Sequence, residues 1–145
     1  MMKILIAFDG SDAAKLALKF AQKLKDLTEK LFVIYVTPAV MGTGPTFDSY
    51  VPSTVYVKQE EAADKILQSA KELLVDFPVE VEMIKLDATG DQIAKVIVRT
   101  AEEKSVDLII SGTRKLSGFS KVILGSVSSE IVKISHIPVL ICPPE

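Results

Sequence analysis

The sequence predicts a doubly wound α/β fold, a five-stranded parallel sheet with helices on both faces. Short β-rich apolar runs alternate with longer amphipathic stretches, and together they give the order βαβαβαβαβ. Most of the apolar runs are continuous, which is typical of strands buried on both faces of a sheet. We therefore expect strand order 3-2-1-4-5, four flanking helices, and a ligand site beyond the carboxyl ends of the strands.

The first third of the chain supplies two of these strands. Residues 3–8 form an apolar run that ends in the turn sequence Asp9-Gly10-Ser11. Ser11 is the expected N-cap of a first helix, which continues at helical spacing to about residue 27. Residues 31–36, a second continuous apolar run, should form the second strand.

The middle of the chain begins with a predicted loop over residues 38–54, which contain three prolines and two glycines. Apolar residues then recur at steps of three and four over residues 63–77 and predict a long helix that Pro78 stops. A third strand is expected over residues 79–84. Its glutamates alternate with apolar residues, which indicates a partly exposed edge strand.

The last third of the chain repeats the pattern twice. The segment Thr89-Gly90-Asp91 should open a third helix, and residues 106–110 should form the fourth strand. A loop over residues 111–124 should lead to a fourth helix beginning near Ser126. Residues 137–142 should form the last strand, which Pro143-Pro144 stops.

Length and composition favour one domain over residues 1–145. Hydrophobic residues make up 48% and charged residues 25%, as in ordinary globular proteins. The formal net charge of −2 leaves no electrostatic footprint for nucleic acid. The single cysteine cannot form an internal disulfide, and the N-terminal apolar run is too short for a signal peptide or a membrane span. We expect a cytoplasmic protein with no nucleic-acid or membrane partner.

The segment after the fourth strand carries the clearest chemical signal. Gly112 follows the strand, and a loop with Arg114, Lys115 and Lys121 returns to Gly125-Ser126 at a predicted helix start. Helix N-termini present unpaired N–H groups and a positive dipole end, so they attract phosphate. The same residues would also suit a strand-to-helix loop that needs glycines only for its turns. The residues alone leave both interpretations open.

Three segments make the chain similar to the universal stress protein family over nearly its whole length. They are the first strand running into Asp9-Gly10-Ser11, the helix start at residues 89–93, and residues 112–128 followed by the strand 137–141. The resemblance implies an adenine nucleotide alpha hydrolase-like fold. The family's nucleotide-binding branch carries Gly, two residues, Gly, nine residues, then Gly-Ser or Gly-Thr. This chain matches that pattern except that lysine replaces the second glycine.

The resemblance also implies roles for individual residues. Asp9 would lie near the adenosine, Val36 would line the adenine pocket, and Gly112 would approach the ribose or phosphates. Asp9 has a second candidate role, in which it caps the first helix beside Ser11. Lys115 could block the phosphate path or pair with a phosphate oxygen. The full set of predicted nucleotide-binding residues is Asp9, Val36, Gly112, Arg114, Lys115, Gly125, Ser126 and Val127.

The function implied by the resemblance is a stress-response protein that binds ATP or a related adenine nucleotide as a regulatory ligand. Mg²⁺ is a possible companion of ATP. We expect at most slow hydrolysis, because the sequence shows no general base and no metal-binding cluster. The family usually forms dimers, and the apolar last strand, residues 137–141, is the expected pairing edge. The alternative is a dimeric stress protein that binds no nucleotide and acts through protein contacts.

Three other nucleotide or signalling folds fit less well. A dinucleotide-binding domain would need Gly-x-Gly-x-x-Gly after the first strand, where this chain has Asp9-Gly10-Ser11-Asp12. A response-regulator receiver domain would need a lysine after the last strand, which instead ends Cys142-Pro143. A PP-loop enzyme would need Ser-Gly-Gly after the first strand.

Overall fold

The structure of the protein, a computed structural model, describes residues 1–38, 53–88, 90–113 and 124–143. Five strands form one sheet in the order β3-β2-β1-β4-β5, and each neighbouring pair is parallel. The predicted fold class and strand order are therefore confirmed. The strands are β1 Met2–Ala7, β2 Thr28–Thr37, β3 Val81–Asp87, β4 Leu108–Gly112 and β5 Val139–Cys142.

Four α-helices connect the strands within the described residues: α1 Asp12–Lys23, α2 Ser53–Leu73, α3 Ile93–Glu103 and α4 Ser126–Ile134. The predicted N-cap of α1 is correct, since the Ser11 hydroxyl accepts a hydrogen bond from the Ala14 N–H over 3.2 Å. The predicted start of α4 at Ser126 is also correct.

Each face of the sheet has its own apolar layer. Alternate residues of β1 point to opposite faces, so Ile4 and Ile6 pack against α1 and α2, while Leu5 packs against the α3 and α4 side. These side chains are all fully buried. No helix among the described residues is long and apolar enough to cross a membrane.

The first two helices end earlier than predicted. The predicted end of α1 near residue 27 is wrong, because a 3₁₀ turn over Lys25–Leu27 follows it and the Thr28 hydroxyl donates to the Leu24 carbonyl over 2.7 Å. β2 therefore begins at residue 28 rather than 31, where Thr28 pairs with Met2. The predicted continuation of α2 to residue 77 is wrong as well, since α2 ends at residue 73 and a turn precedes Pro78.

Other element boundaries also shift. Gly90 has φ +76°, outside the helical region, so the predicted opening of α3 at residues 89–91 is wrong and Gln92 is its N-cap. β4 begins at residue 108, not 106, and Asp107 just before it bonds to Lys3 of β1 through both its carboxylate, which accepts from the Lys3 N–H over 2.8 Å, and its own N–H, which donates to the Lys3 carbonyl over 2.8 Å. β3 covers residues 81–87 rather than 79–84, and β5 begins at residue 139 rather than 137. β3 is an edge strand, as predicted.

Two predicted loops can be compared only in part. Residues 39–52, Thr89 and residues 114–123 lie outside the described residues. The predicted loop over 38–54 is two residues too long at its end, because α2 already begins at Ser53.

Candidate functional site

A cavity of about 540 Å³ lies beyond the carboxyl ends of β1, β2 and β4. The first turns of α1 and α4 also line it. Parallel doubly wound sheets bind ligands here, because the crossovers leave the sheet on opposite faces where the strand order reverses. In this sheet that reversal lies at β1, whose neighbours are β2 and β4.

The two sides of the cavity differ in chemistry. β2 and α3 contribute apolar side chains, including Ile34, Val36 and Ile97. Hydroxyl residues lie on the other side, with Ser111 on β4, Thr113 directly after it, and Ser126 and Ser128 on α4. The Ser111 hydroxyl donates to the Gly112 carbonyl over 3.2 Å and the Ser128 hydroxyl donates to the Gly125 carbonyl over 3.3 Å. Because β1 separates β2 from β4 and neighbouring strands lie about 4.8 Å apart, the apolar and hydroxyl sides are about 10 Å from each other.

Asp9 stands between these two sides, at the end of β1. Its Oδ1 accepts a hydrogen bond from the Ser11 N–H over 2.9 Å, so this carboxylate helps to hold the turn before α1. Gly10 takes φ +82° in that turn, a left-handed conformation that favours glycine. Burial raises the pKa of the Tyr35 phenol above its usual value, and the nearby Asp9 carboxylate raises it further.

Gly112, at the end of β4, lies directly against the first turn of α1. A Cβ atom placed on Gly112 would be 2.5 Å from the Ala13 carbonyl oxygen and 2.6 Å from the Ala13 carbonyl carbon. Real Cβ atoms do not approach backbone atoms this closely. The fold itself therefore requires a residue without a side chain at this position.

Gly125 is in a different environment. It is the N-cap of α4, with φ −69° and ψ 171°, and no side chain of the described residues caps this helix end. Its carbonyl accepts a hydrogen bond from the Ser129 N–H over 2.9 Å, which starts the helix. A Cβ on Gly125 would meet only the Ser128 Oγ, at 3.8 Å. The first N–H groups of α4, with the positive end of the helix dipole, lie where the cavity is rich in hydroxyl groups.

Sequence comparison decides the family. A profile of the Universal stress protein family matches residues 1–143. The chain belongs to this family.

Individual relatives agree with that assignment. The universal stress protein YxiE of Bacillus subtilis is 36% identical over 96% of this chain and 97% of that protein. A universal stress protein structure from Archaeoglobus fulgidus has a TM-score of 0.73 at 27% identity and covers 97% of this chain and 98% of that chain. Another from the same organism, solved in complex with dAMP, has a TM-score of 0.69 at 24% identity, covering 97% of both chains.

The described part of this universal stress protein brings six of the eight predicted site residues together. Those that line the one cavity are Asp9, Val36, Gly112, Gly125, Ser126 and Val127. Arg114 and Lys115 lie outside the described residues. Direct contact of any of these residues with a nucleotide stays a prediction.

The sequence-based site set missed several residues that line the same cavity. They include Tyr35 and the hydroxyl residues Ser111, Thr113 and Ser128. Ser111 and Thr113 flank Gly112 at the end of β4, and their place at a strand end was the available signal. Within the described ranges, no group of three or more His, Cys, Asp or Glu residues could hold a metal ion.

Proposed function

We propose that this universal stress protein binds an adenine nucleotide, ATP or a related molecule, as a regulatory ligand in the cavity at the end of β1. The observation that carries the proposal is the division of the cavity into an apolar side and a hydroxyl-rich side that ends at a helix N-terminus. A nucleotide has the same division, with a flat base at one end and phosphate at the other.

This division suggests how the ligand lies. The base packs against Val36 and its apolar neighbours on β2 and α3. The phosphate lies at the first turn of α4, where the N–H groups of that turn and the Ser126 hydroxyl donate to its oxygens. The sugar then falls near Asp9, whose carboxylate can accept a hydrogen bond from a ribose hydroxyl.

The relative from Archaeoglobus fulgidus supports the ligand class, since it was solved with dAMP and shares the fold. ATP is the form that we propose on the match to the family's glycine pattern at Gly112, Gly125 and Ser126. Mg²⁺ would be held by the ATP phosphates, with the hydroxyl of Ser126 as a candidate protein ligand. We propose at most slow hydrolysis, in a cytoplasmic protein that is one domain over residues 1–145.

We also propose a homodimer through β5. This strand is at the edge of the sheet, and its apolar residues are half-buried. The Pro138 carbonyl accepts a hydrogen bond from the Ile109 N–H of β4, and the Cys142 carbonyl accepts one from the Thr113 N–H just after β4. Backbone groups of alternate residues face opposite sides of a strand, so Ile141 turns its N–H and C=O away from β4. Those groups can pair with a second copy of the strand.

The nucleotide proposal is tested by calorimetry on protein stripped of any copurified nucleotide. ATP and AMP are titrated into the wild type and into Gly125→Val, whose side chain enters open space at the phosphate end. Leu124→Ala is the matched control, since Leu124 is exposed, adjacent and not part of the cavity. We expect micromolar binding that Gly125→Val abolishes and Leu124→Ala retains.

The Lys115→Gly variant separates the two functional alternatives. If the wild type binds no nucleotide but Lys115→Gly does, the lysine has closed the site, and the protein works through its dimer surface alone. If neither variant binds, the nucleotide proposal is wrong for this chain.

The dimer proposal is tested by light scattering at micromolar concentration. We expect twice the monomer mass for the wild type and the monomer mass for Ile141→Pro, which removes an outward N–H without removing an N–H that faces β4. A wild-type protein with the monomer mass would refute the proposal.

A further inference from the structure

Tyr35 is a cavity residue that the proposed function does not use. It lies on β2, and its half-buried ring packs against the apolar layer beneath α1 and α2. Tyr35 is also among the residues that line the cavity. The hydroxyl makes no hydrogen bond to any residue in the described ranges, although tyrosine hydroxyls usually find a partner when the ring is buried.

Asp9 lines the same cavity. The Phe8 N–H donates to the Ile34 carbonyl over 2.9 Å, which holds the end of β1 alongside β2 at the level of Tyr35. Asp9 is the next residue after Phe8. Burial raises the pKa of the Tyr35 phenol above its usual value and the Asp9 charge raises it further, so the phenol is neutral at neutral pH.

A carboxylate and a neutral phenol form a complementary pair for a sugar. The carboxylate only accepts hydrogen bonds, whereas the phenol both donates and accepts. The two neighbouring hydroxyls of a ribose need two such partners. A 2′-deoxyribose has one hydroxyl fewer and leaves one partner unsatisfied. The position of Asp9 between the apolar and hydroxyl sides is also where the sugar of a bound nucleotide would lie.

We propose that Tyr35 is a specificity-determining residue, whose hydroxyl acts with Asp9 to recognise the ribose diol, so that ribonucleotides bind more tightly than 2′-deoxyribonucleotides. This inference rests on the proposed nucleotide site. Because Tyr35 is on a strand and its ring is held by the apolar layer, little side-chain freedom has to be lost when a ligand binds.

The test compares the dissociation constants of AMP and 2′-dAMP by calorimetry for the wild type, Tyr35→Phe and Tyr56→Phe. Tyr35→Phe keeps the ring and removes only the hydroxyl. Tyr56→Phe is the matched control, because Tyr56 is exposed on α2 and does not line the cavity. One hydrogen bond in the site corresponds to roughly a two- to tenfold preference for AMP.

We expect the wild type and Tyr56→Phe to prefer AMP by that factor. Tyr35→Phe should bind both nucleotides with the affinity that the wild type shows for 2′-dAMP. Equal binding of AMP and 2′-dAMP by the wild type, or an AMP preference that survives in Tyr35→Phe, would overturn the inference and leave the nucleotide site standing. Absence of binding to either nucleotide would overturn the nucleotide site itself.

Discussion

Replacing Gly112 with alanine tests whether this glycine is required by the fold. The added Cβ would lie 2.5 Å from the Ala13 carbonyl oxygen, about 0.9 Å closer than an ordinary contact at 3.4 Å. Both partners are backbone on rigid elements, so the end of β4 or the first turn of α1 must move. Overpacking of this kind costs about 2 kcal/mol of unfolding free energy. With a urea m-value of about 2 kcal/mol per molar, the midpoint should fall by about 1 M.

Gly125→Ala is the matched control for this measurement. Its Cβ would meet nothing closer than 3.8 Å, and its φ is −69°. Alanine restricts the unfolded chain, which stabilises by about 0.4–1 kcal/mol, and is a poorer N-cap than glycine by a similar amount. We expect a urea midpoint within about 0.3 M of the wild type, since the two effects nearly cancel.

A double variant shows which contact is responsible. Ala13→Gly removes the Ala13 Cβ, which the new side chain would approach to 3.0 Å, but it leaves the carbonyl oxygen in place. Adding Ala13→Gly to Gly112→Ala should therefore restore no stability. The reasoning is refuted if Gly112→Ala unfolds at the wild-type midpoint, if Gly125→Ala loses as much, or if the double variant recovers.

Two further predictions concern the residues around the first turn. Ser11→Ala removes the acceptor for the Ala14 N–H and should cost about 1 kcal/mol, measured by urea unfolding, whereas Ser11→Thr should retain most of the stability. An unchanged midpoint in Ser11→Ala would contradict this. In alkaline titration at 295 nm, Tyr35→Phe should remove a phenol that ionises above the usual pKa near 10. Asp9→Asn should lower the pKa of Tyr35 only in part, because burial is the larger cause. A raised folded-state pKa stabilises the fold below pH 10, and that contribution is lost as the pH rises through the folded pKa. A return of the pKa to its usual value in Asp9→Asn would show that charge, not burial, dominates.

The fold was predictable because the position of each strand depends on the hydrophobicity of a few consecutive residues. Continuous apolar runs predicted the strands, and their alternation with amphipathic stretches predicted the parallel order. The boundary errors have tertiary causes. Thr28 joins β2 because Met2 is its neighbour in the sheet, and the carboxylate of Asp107, just before β4, takes the Lys3 N–H of β1 as its partner. Neither partner is near in sequence.

The cavity was predictable in outline for a similar reason. Strand order alone specifies which strand ends meet, and so residues as distant as Val36 and Ser126 were expected to lie together. The role of Gly112 was not predictable, because it depends on how closely α1 approaches β4, nearly 100 residues away in the chain. Tyr35 was missed because its alternation along β2 directs it toward α1 and α2, and only its place near the strand end brings it into the cavity.

Gly112 and Gly125, the two described glycines of the family's pattern, differ in how strongly they support nucleotide binding. Gly112 must lack a side chain because of Ala13, so its presence would be expected in a protein of this fold with or without a nucleotide. Among the described residues Gly125 has no such packing reason, since a Cβ there would meet only the Ser128 Oγ at 3.8 Å. Glycine at this helix start serves as the N-cap of α4, and the space that the described residues leave beside it also fits a ligand that approaches the backbone there. The match at Gly125 therefore supports nucleotide binding more strongly than the match at Gly112, and position 125 is the one at which a substitution separates the loss of a ligand from the loss of the fold.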